Sequence, residues 1–113
     1  MWEKIFKHLK ANGFDVYSPS TKNGECTKPY VVIKNSGLSA HPSFSSDIES
    51  YYVMCYVPHN QYSKLEPYKN SVKKALKELY PMIKEGGTET PSYYDDKYKA
   101  HMISVLYVNY KKK

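Results

Sequence analysis

Arginine is absent from this chain; all 17 basic residues are lysine. The planar guanidinium fork makes the commonest bidentate contacts to guanine and phosphate, so its absence argues against sequence-specific nucleic-acid recognition. Lysine alone still supports a salt-dependent, non-specific attraction to polyanions. Cysteine is scarce, with two residues, and neither Cys-x-x-Cys nor His-x-x-x-His spacing occurs, which removes the local signatures of a zinc site. The five glycines are scattered, so phosphate-loop and dinucleotide fingerprints are missing. No apolar run approaches the roughly 18 residues of a membrane span. Met1–Lys10 is amphipathic and charged throughout, unlike a cleavable leader, so a soluble protein made in the cytoplasm is expected, with no membrane partner.

What is present is an ordinary globular balance, 41% hydrophobic and 25% charged, which places residues 1–113 in a single folded domain rather than a disordered chain. The net charge of +6 is uneven, because most of the lysine excess lies in the second half, ending in Lys111–Lys113, which is expected to be a flexible tail. Cys26 sits in a polar, turn-rich stretch and Cys55 within a strand pattern. Both are expected as free thiols, Cys55 as a small buried apolar residue.

Trp2, Ile5, Phe6 and Leu9 recur at helical spacing, with Gly13 as the stop. Phe14–Tyr17 and Pro29–Lys34 read as strands, separated by turn signals that include Asn23-Gly24. A third strand, Ser50–Val57, alternates Tyr51, Val53, Cys55 and Val57 against Tyr52, Met54 and Tyr56, so both faces are expected to be covered. Pro58 stops it. A helix follows over about Ser63–Tyr80, with Leu65, Tyr68, Val72, Ala75, Leu76 and Leu79 on its inner stripe and Pro67 near its start. Glu85–Gly87 and Thr88–Tyr98 read as loop and turn, and Ala100–Tyr110 as the last strand. The fold class expected is α+β: a small mixed, mainly antiparallel sheet of about four strands, in the order α-β-β-β-α-β, with an N-terminal helix and one long helix packed on it.

No catalytic, cofactor-binding or metal-binding residue is assigned, and no cofactor is expected. Asp95-Asp96-Lys97 is an acid-lysine cluster of the kind a metal-dependent nuclease uses, with Asp47 or Glu49 as partner acids. Its turn-like surroundings favour plain turn formers instead. Candidate partner or subunit contacts are Leu38 and Phe44, apolar residues in the unpatterned 35–49 stretch, which either tuck onto the core or project to a neighbour. Tyr52 and Tyr56 join them, because tyrosine brings contact area with a polar tip. The row Lys69, Lys73 and Lys77 is read as a solvated helix face or as a docking face for an acidic partner.

Val53–Tyr68, followed by Val72–Leu79, resembles the strand-to-helix segment of small neck proteins of tailed bacteriophages, the tail terminator and tail-completion family. The amino-terminal helix, the Pro29-Tyr-Val-Val strand and the acidic turn before a last strand match that layout in order and size. The resemblance implies a structural protein that is not an enzyme: a homohexameric ring that caps the tail tube and meets the sheath or head connector. It also implies assembly in a bacterial cytoplasm, then residence in a virion or phage-like contractile particle, with non-specific DNA contact in the lumen. Lysine and tyrosine in place of arginine fit an A/T-rich coding sequence, hence a low-GC bacterium or its phage. The alternative is a small basic binding module for nucleic acid or an acidic protein.

Overall fold

The computed structural model describes residues 2–19, 21, 24–40 and 46–112. Helix α1, Trp2–Ala11, buries Ile5 and Leu9, and Trp2 stacks on Phe6 with ring centroids 4.9 Å apart. Its end follows from Gly13, whose φ of 88° lies in the left-handed region. The Gly13 amide donates to the Lys10 carbonyl and the Phe14 amide to that of Leu9, a Schellman closure that satisfies two terminal carbonyls.

The chain then enters β1, Val16–Tyr17, which pairs in parallel with the start of β2, Tyr30–Ala40. β1 is too short to cover the edge of β2. Beyond it the Ile33 carbonyl accepts a 2.8 Å hydrogen bond from the Trp2 indole, so α1 continues the capping of this edge. Trp2→Phe keeps most of the ring but orphans that carbonyl. A loss of about 1 kcal/mol in unfolding free energy is expected, read from the denaturant midpoint.

β2 turns back antiparallel into β3, Ser46–Pro58, which is flanked on its other side by β6, Ala100–Lys112. A 3₁₀ turn, Tyr62–Lys64, leads into α2, Leu65–Lys77. Pro67 is the third residue of α2, inside the first turn where amides have no intrahelical acceptor, so its missing N–H costs nothing there. β4, Lys84–Glu89, and β5, Tyr93–Asp95, lie one after the other along the free side of β6. The sheet order is β1-β2-β3-β6-β4, with β5 beside β6, and only β1 runs parallel to its neighbour. The α+β class with a mixed, mainly antiparallel sheet is as expected, with more strands than four.

Three expectations need correction. The 35–49 stretch contains no long loop among its described residues: β2 continues through Ala40 and β3 begins at Ser46. A bulge between Asn35 and Gly37 breaks the register, with the Gly37 amide held by the Asn35 side chain at 2.8 Å, and this interruption hides the strand's periodicity. Residues 84–89 and 93–95 are strands. Finally, β6 runs through Lys112, with Lys111 opposite Asp47, so the expected tail is in the ladder at 111–112; Lys113 lies outside the described residues.

The two faces of the sheet are packed differently. Tyr51, Val53, Cys55 and Val57 of β3 lie with Val31 and Ile33 of β2 and Ile103, Val105 and Tyr107 of β6 under both helices. The opposite face has a smaller cluster, in which Cys26, Tyr30, Val32, Tyr56 and Ala100 are buried. Past Tyr51 and Tyr107, the ribbon formed by 35–40, 46–50 and 108–112 contributes no described side chain to either cluster. It projects beyond the helices, in a molecule 46 Å long and 24–26 Å across.

Candidate interaction surfaces

The lysine row does not face solvent as a unit. Lys69 is only 6% exposed, because it falls between Leu65 and Val72 on the inward stripe of α2. Its ammonium lies 2.8 Å from both Glu66 and Glu89. Lys73 is partly buried, 2.7 Å from Glu89 and 3.1 Å from Glu85. Lys77 alone of the three is exposed.

β4 supplies the matching carboxylates through a bulge. Glu85 stands opposite Tyr107 and Glu89 opposite Val105, so four steps along β4 cover two along β6. That compresses the carboxylate spacing to about 7 Å, two strand residues. Lys69 and Lys73, four residues apart on a helix, are spaced by about 6 Å. Gly86 and Gly87 make the compression feasible: Gly87 has φ of 81°, and a Cβ on Gly86 would come within 2.8 Å of the Leu106 side chain. The bulge therefore sets β4 in register with α2.

Burial alone would lower the Lys69 pKa, but hydrogen bonds to Glu66 and Glu89 outweigh it and the net shift is upward. Lys73 is raised chiefly by Glu89, and Glu89 is lowered by Lys69 first and Lys73 second. These lysines are spent within the subunit, and a docking role for the row contracts to its C-terminal end.

There, Leu76, Ile83 and Tyr107 line a cleft of about 500 Å³ together with Lys74, Lys77 and Lys84. Tyr107 is buried and its hydroxyl has no hydrogen-bond partner among the described residues. Lys84 lies 5.9 Å from the centroid of the exposed Tyr80 ring. Basic groups over an apolar floor suit an occupant that is both anionic and apolar.

Of the two candidate tyrosines on β3, Tyr56 is a packing residue. It stacks on Tyr30 at 4.8 Å and meets Tyr98 edge-on, and it is 8% exposed. Tyr52 is half-buried on the same face, between Lys34 of β2 and Leu106 of β6. Leu38 stands opposite Glu49 in the projecting ribbon, but its side chain lies outside the described ones, and Phe44 lies outside the described residues. A surface cluster not singled out from the sequence surrounds His101, whose ring is 4.7 Å from Tyr62 and 5.2 Å from Tyr94. Tyr62, Tyr93 and Tyr94 are all exposed. β5 pairing with β6 brings Tyr93 and Tyr94 to His101, and the 3₁₀ turn brings Tyr62, so no local spacing could have revealed them.

The nuclease constellation is not assembled. Asp95 pairs with Ala100 and Glu49 with Asn109, nine positions further along β6. That is a separation of about 30 Å at strand rise, and Asp47 is further still. Asp95 instead accepts a 3.0 Å hydrogen bond from the Lys97 amide, as a turn former does. Among the described residues, no group of three His, Cys, Asp or Glu side chains could hold a metal ion.

Cys26 and Cys55 are both buried thiols outside any disulfide, in the clusters on opposite faces of the sheet. Burial pushes the Cys55 thiol up to about 12, against a smaller opposing effect of Lys69, so it is a poor nucleophile near neutrality. No helix among the described residues is long and apolar enough to cross a membrane. No protein-family profile matches the chain, and no functionally characterised protein matches it in sequence.

Proposed function

We propose that this chain is a structural subunit of a tailed phage or phage-like contractile particle, a ring-forming tail terminator that caps the tube and joins it to the sheath or head connector. The observation that carries the reading is a sheet whose helices lie on one face only, with a smaller cluster on the other and a ribbon that runs past both. Both helices cover one face, while Tyr52, Met54, Met102, Leu106 and Val108 remain part-exposed on the other. A half-apolar sheet face of this kind, continued into strands that leave the domain, suits lateral packing against neighbours better than small-molecule chemistry. The resemblance over Val53–Leu79 is what suggests this kind of assembly.

Closed rings need two different patches per subunit. With purified tail tubes, negative-stain images are expected to show rings of about six subunits on tube ends, in keeping with closed cyclic symmetry. Tube length should stop increasing once they bind. Bare ends and continued growth at saturating protein would sink the reading. The second reading, a basic binding module, is favoured by the lysines at the end of α2. It predicts retention on immobilised heparin that falls steeply with salt.

A further inference from the structure

We infer that the basic cleft at the C-terminal end of α2 receives the aromatic-acidic turn Tyr93–Asp96 of a second copy of this chain. The inference rests on the ring-forming reading and names the two surfaces that such a ring would join.

Consider first what the cleft requires. Its floor is the apolar surface of Leu76, Ile83 and the Tyr107 ring, and its walls carry Lys74, Lys77 and Lys84 beside the Lys73–Glu85 ion pair. Lys74 and Lys77 are exposed, and neither has an ion pair among the described residues. The neighbouring Lys69 and Lys73 are already matched by Glu66, Glu85 and Glu89, so uncompensated positive charge is concentrated at this end of the helix. A phosphate backbone would use the lysines and leave the floor wet. An aromatic ring followed by a carboxylate uses both.

The same chain displays such a segment. Tyr93 and Tyr94 are 57% and 42% exposed, and they lead directly into Asp95 and Asp96. Asp95 is occupied in closing its own turn, whereas Asp96 is exposed at the tip. Lys97 is drawn over the Tyr98 ring at 5.4 Å. Lys99 shares the turn, so the attraction is a local match of one or two ion pairs with a buried ring, not one of net charge. Tyr94 packs against His101, which also meets Tyr62, and such contacts reduce the ordering cost of docking.

The two patches cannot meet within one subunit. The cleft lies beside Tyr107 on β6, and the turn lies beside Ala100 at the start of that strand, about 20 Å away at strand rise. Different patches at opposite ends make the contact heterologous, and such a contact propagates around a ring when its rotation closes.

The test is a charge exchange in the full chain, with self-association measured by sedimentation. Lys74→Glu with Lys77→Glu, and separately Asp96→Lys, are each expected to weaken association about tenfold or more. The three changes together should return it to within about threefold of the unmodified protein, since the ion pairs are restored with reversed sign. All these positions are exposed, and circular dichroism is the check that each variant is folded. Tyr93→Ala, which leaves every charge in place, should also weaken association by removing the ring. A strictly monomeric protein overturns the inference, as does association that ignores both reversals or is not recovered in the combined variant. Rings that still cap tubes in the reversed variants would overturn this interface alone. Exchange-sensitive rings that leave tube growth untouched would overturn the terminator function alone.

Discussion

Glu89→Ala is expected to lower the unfolding free energy by about 2 kcal/mol, far more than its position on an edge strand suggests. Removing one partner of a buried ion pair costs about 3–5 kcal/mol, because the surviving charge stays desolvated without compensation. Here the cost is discounted: the Glu89 side chain is 35% exposed, and Lys69 retains Glu66. Lys69→Met makes the contrasting case. It replaces the ammonium by an apolar side chain of similar length, and Glu89 still has Lys73. A change within about 1 kcal/mol is expected, since apolar replacement of a buried charge is often neutral or stabilising. Equal losses in the two variants, measured by urea unfolding, would show that the Lys69 ion pairs are themselves net stabilising, since methionine keeps the packing and removes only the charge.

The same pair makes stability depend on pH at the acid end. Glu89 has a folded pKa below its ordinary 4.5, so its contribution is complete above that value and is lost as pH falls through the folded value. Lys69 and Lys73 are raised above 10.5, so theirs is complete below that value and is lost as pH rises through their folded values. Comparing the native protein with Glu89→Ala below pH 4.5 isolates the carboxylate, since the variant should decline less steeply there.

These residues also mark where a linear sequence stops being informative. The alternation of Tyr51 through Val57 and the stripe of Leu65, Val72, Ala75 and Leu76 exposed the central strand and the covering helix, because burial selects residues with those periods. β4 has no such trace. All six of its residues are exposed, its pairing is made by the backbone, and two adjacent glycines suggest a loop. The projecting ribbon was concealed for the same reason, with polar residues on strands that leave the core. Lys69 is different, since the sequence did contain a signal for it. Leu65, Lys69, Val72 and Leu76 follow the 4-3-4 spacing of a buried helix seam, and a lysine there requires an acid from another element. Identifying Glu89 as that acid needs the β4 bulge, which only tertiary pairing establishes.

Tyr56 and Tyr52, four residues apart on the same face of β3, are expected to separate packing from assembly. Tyr56→Ala removes a ring stacked on Tyr30 and set edge-on to Tyr98, from a site 8% exposed. A loss of about 3 kcal/mol is expected from the cavity and the lost ring contacts. Tyr52→Ala removes a half-buried side chain from the face opposite the helices, outside its buried cluster, and should cost within about 1 kcal/mol. If that face packs against a neighbouring subunit, Tyr52→Ala weakens self-association while the monomer stays folded. Tyr56→Ala lowers association only by depleting folded protein. An independent check comes from alkali, because burial is the leading cause that raises Tyr56 from 10.0 to about 12 and also raises Tyr30, Tyr51, Tyr68 and Tyr107. The folded state holds these protons more tightly than the unfolded chain, so stability is intact below pH 10 and falls as pH climbs through about 12. Ultraviolet titration should therefore show the buried phenols ionising together with the loss of the circular dichroism signal. In Tyr56→Ala, that joint transition should begin at lower pH, because less stability remains to hold the other four phenols neutral.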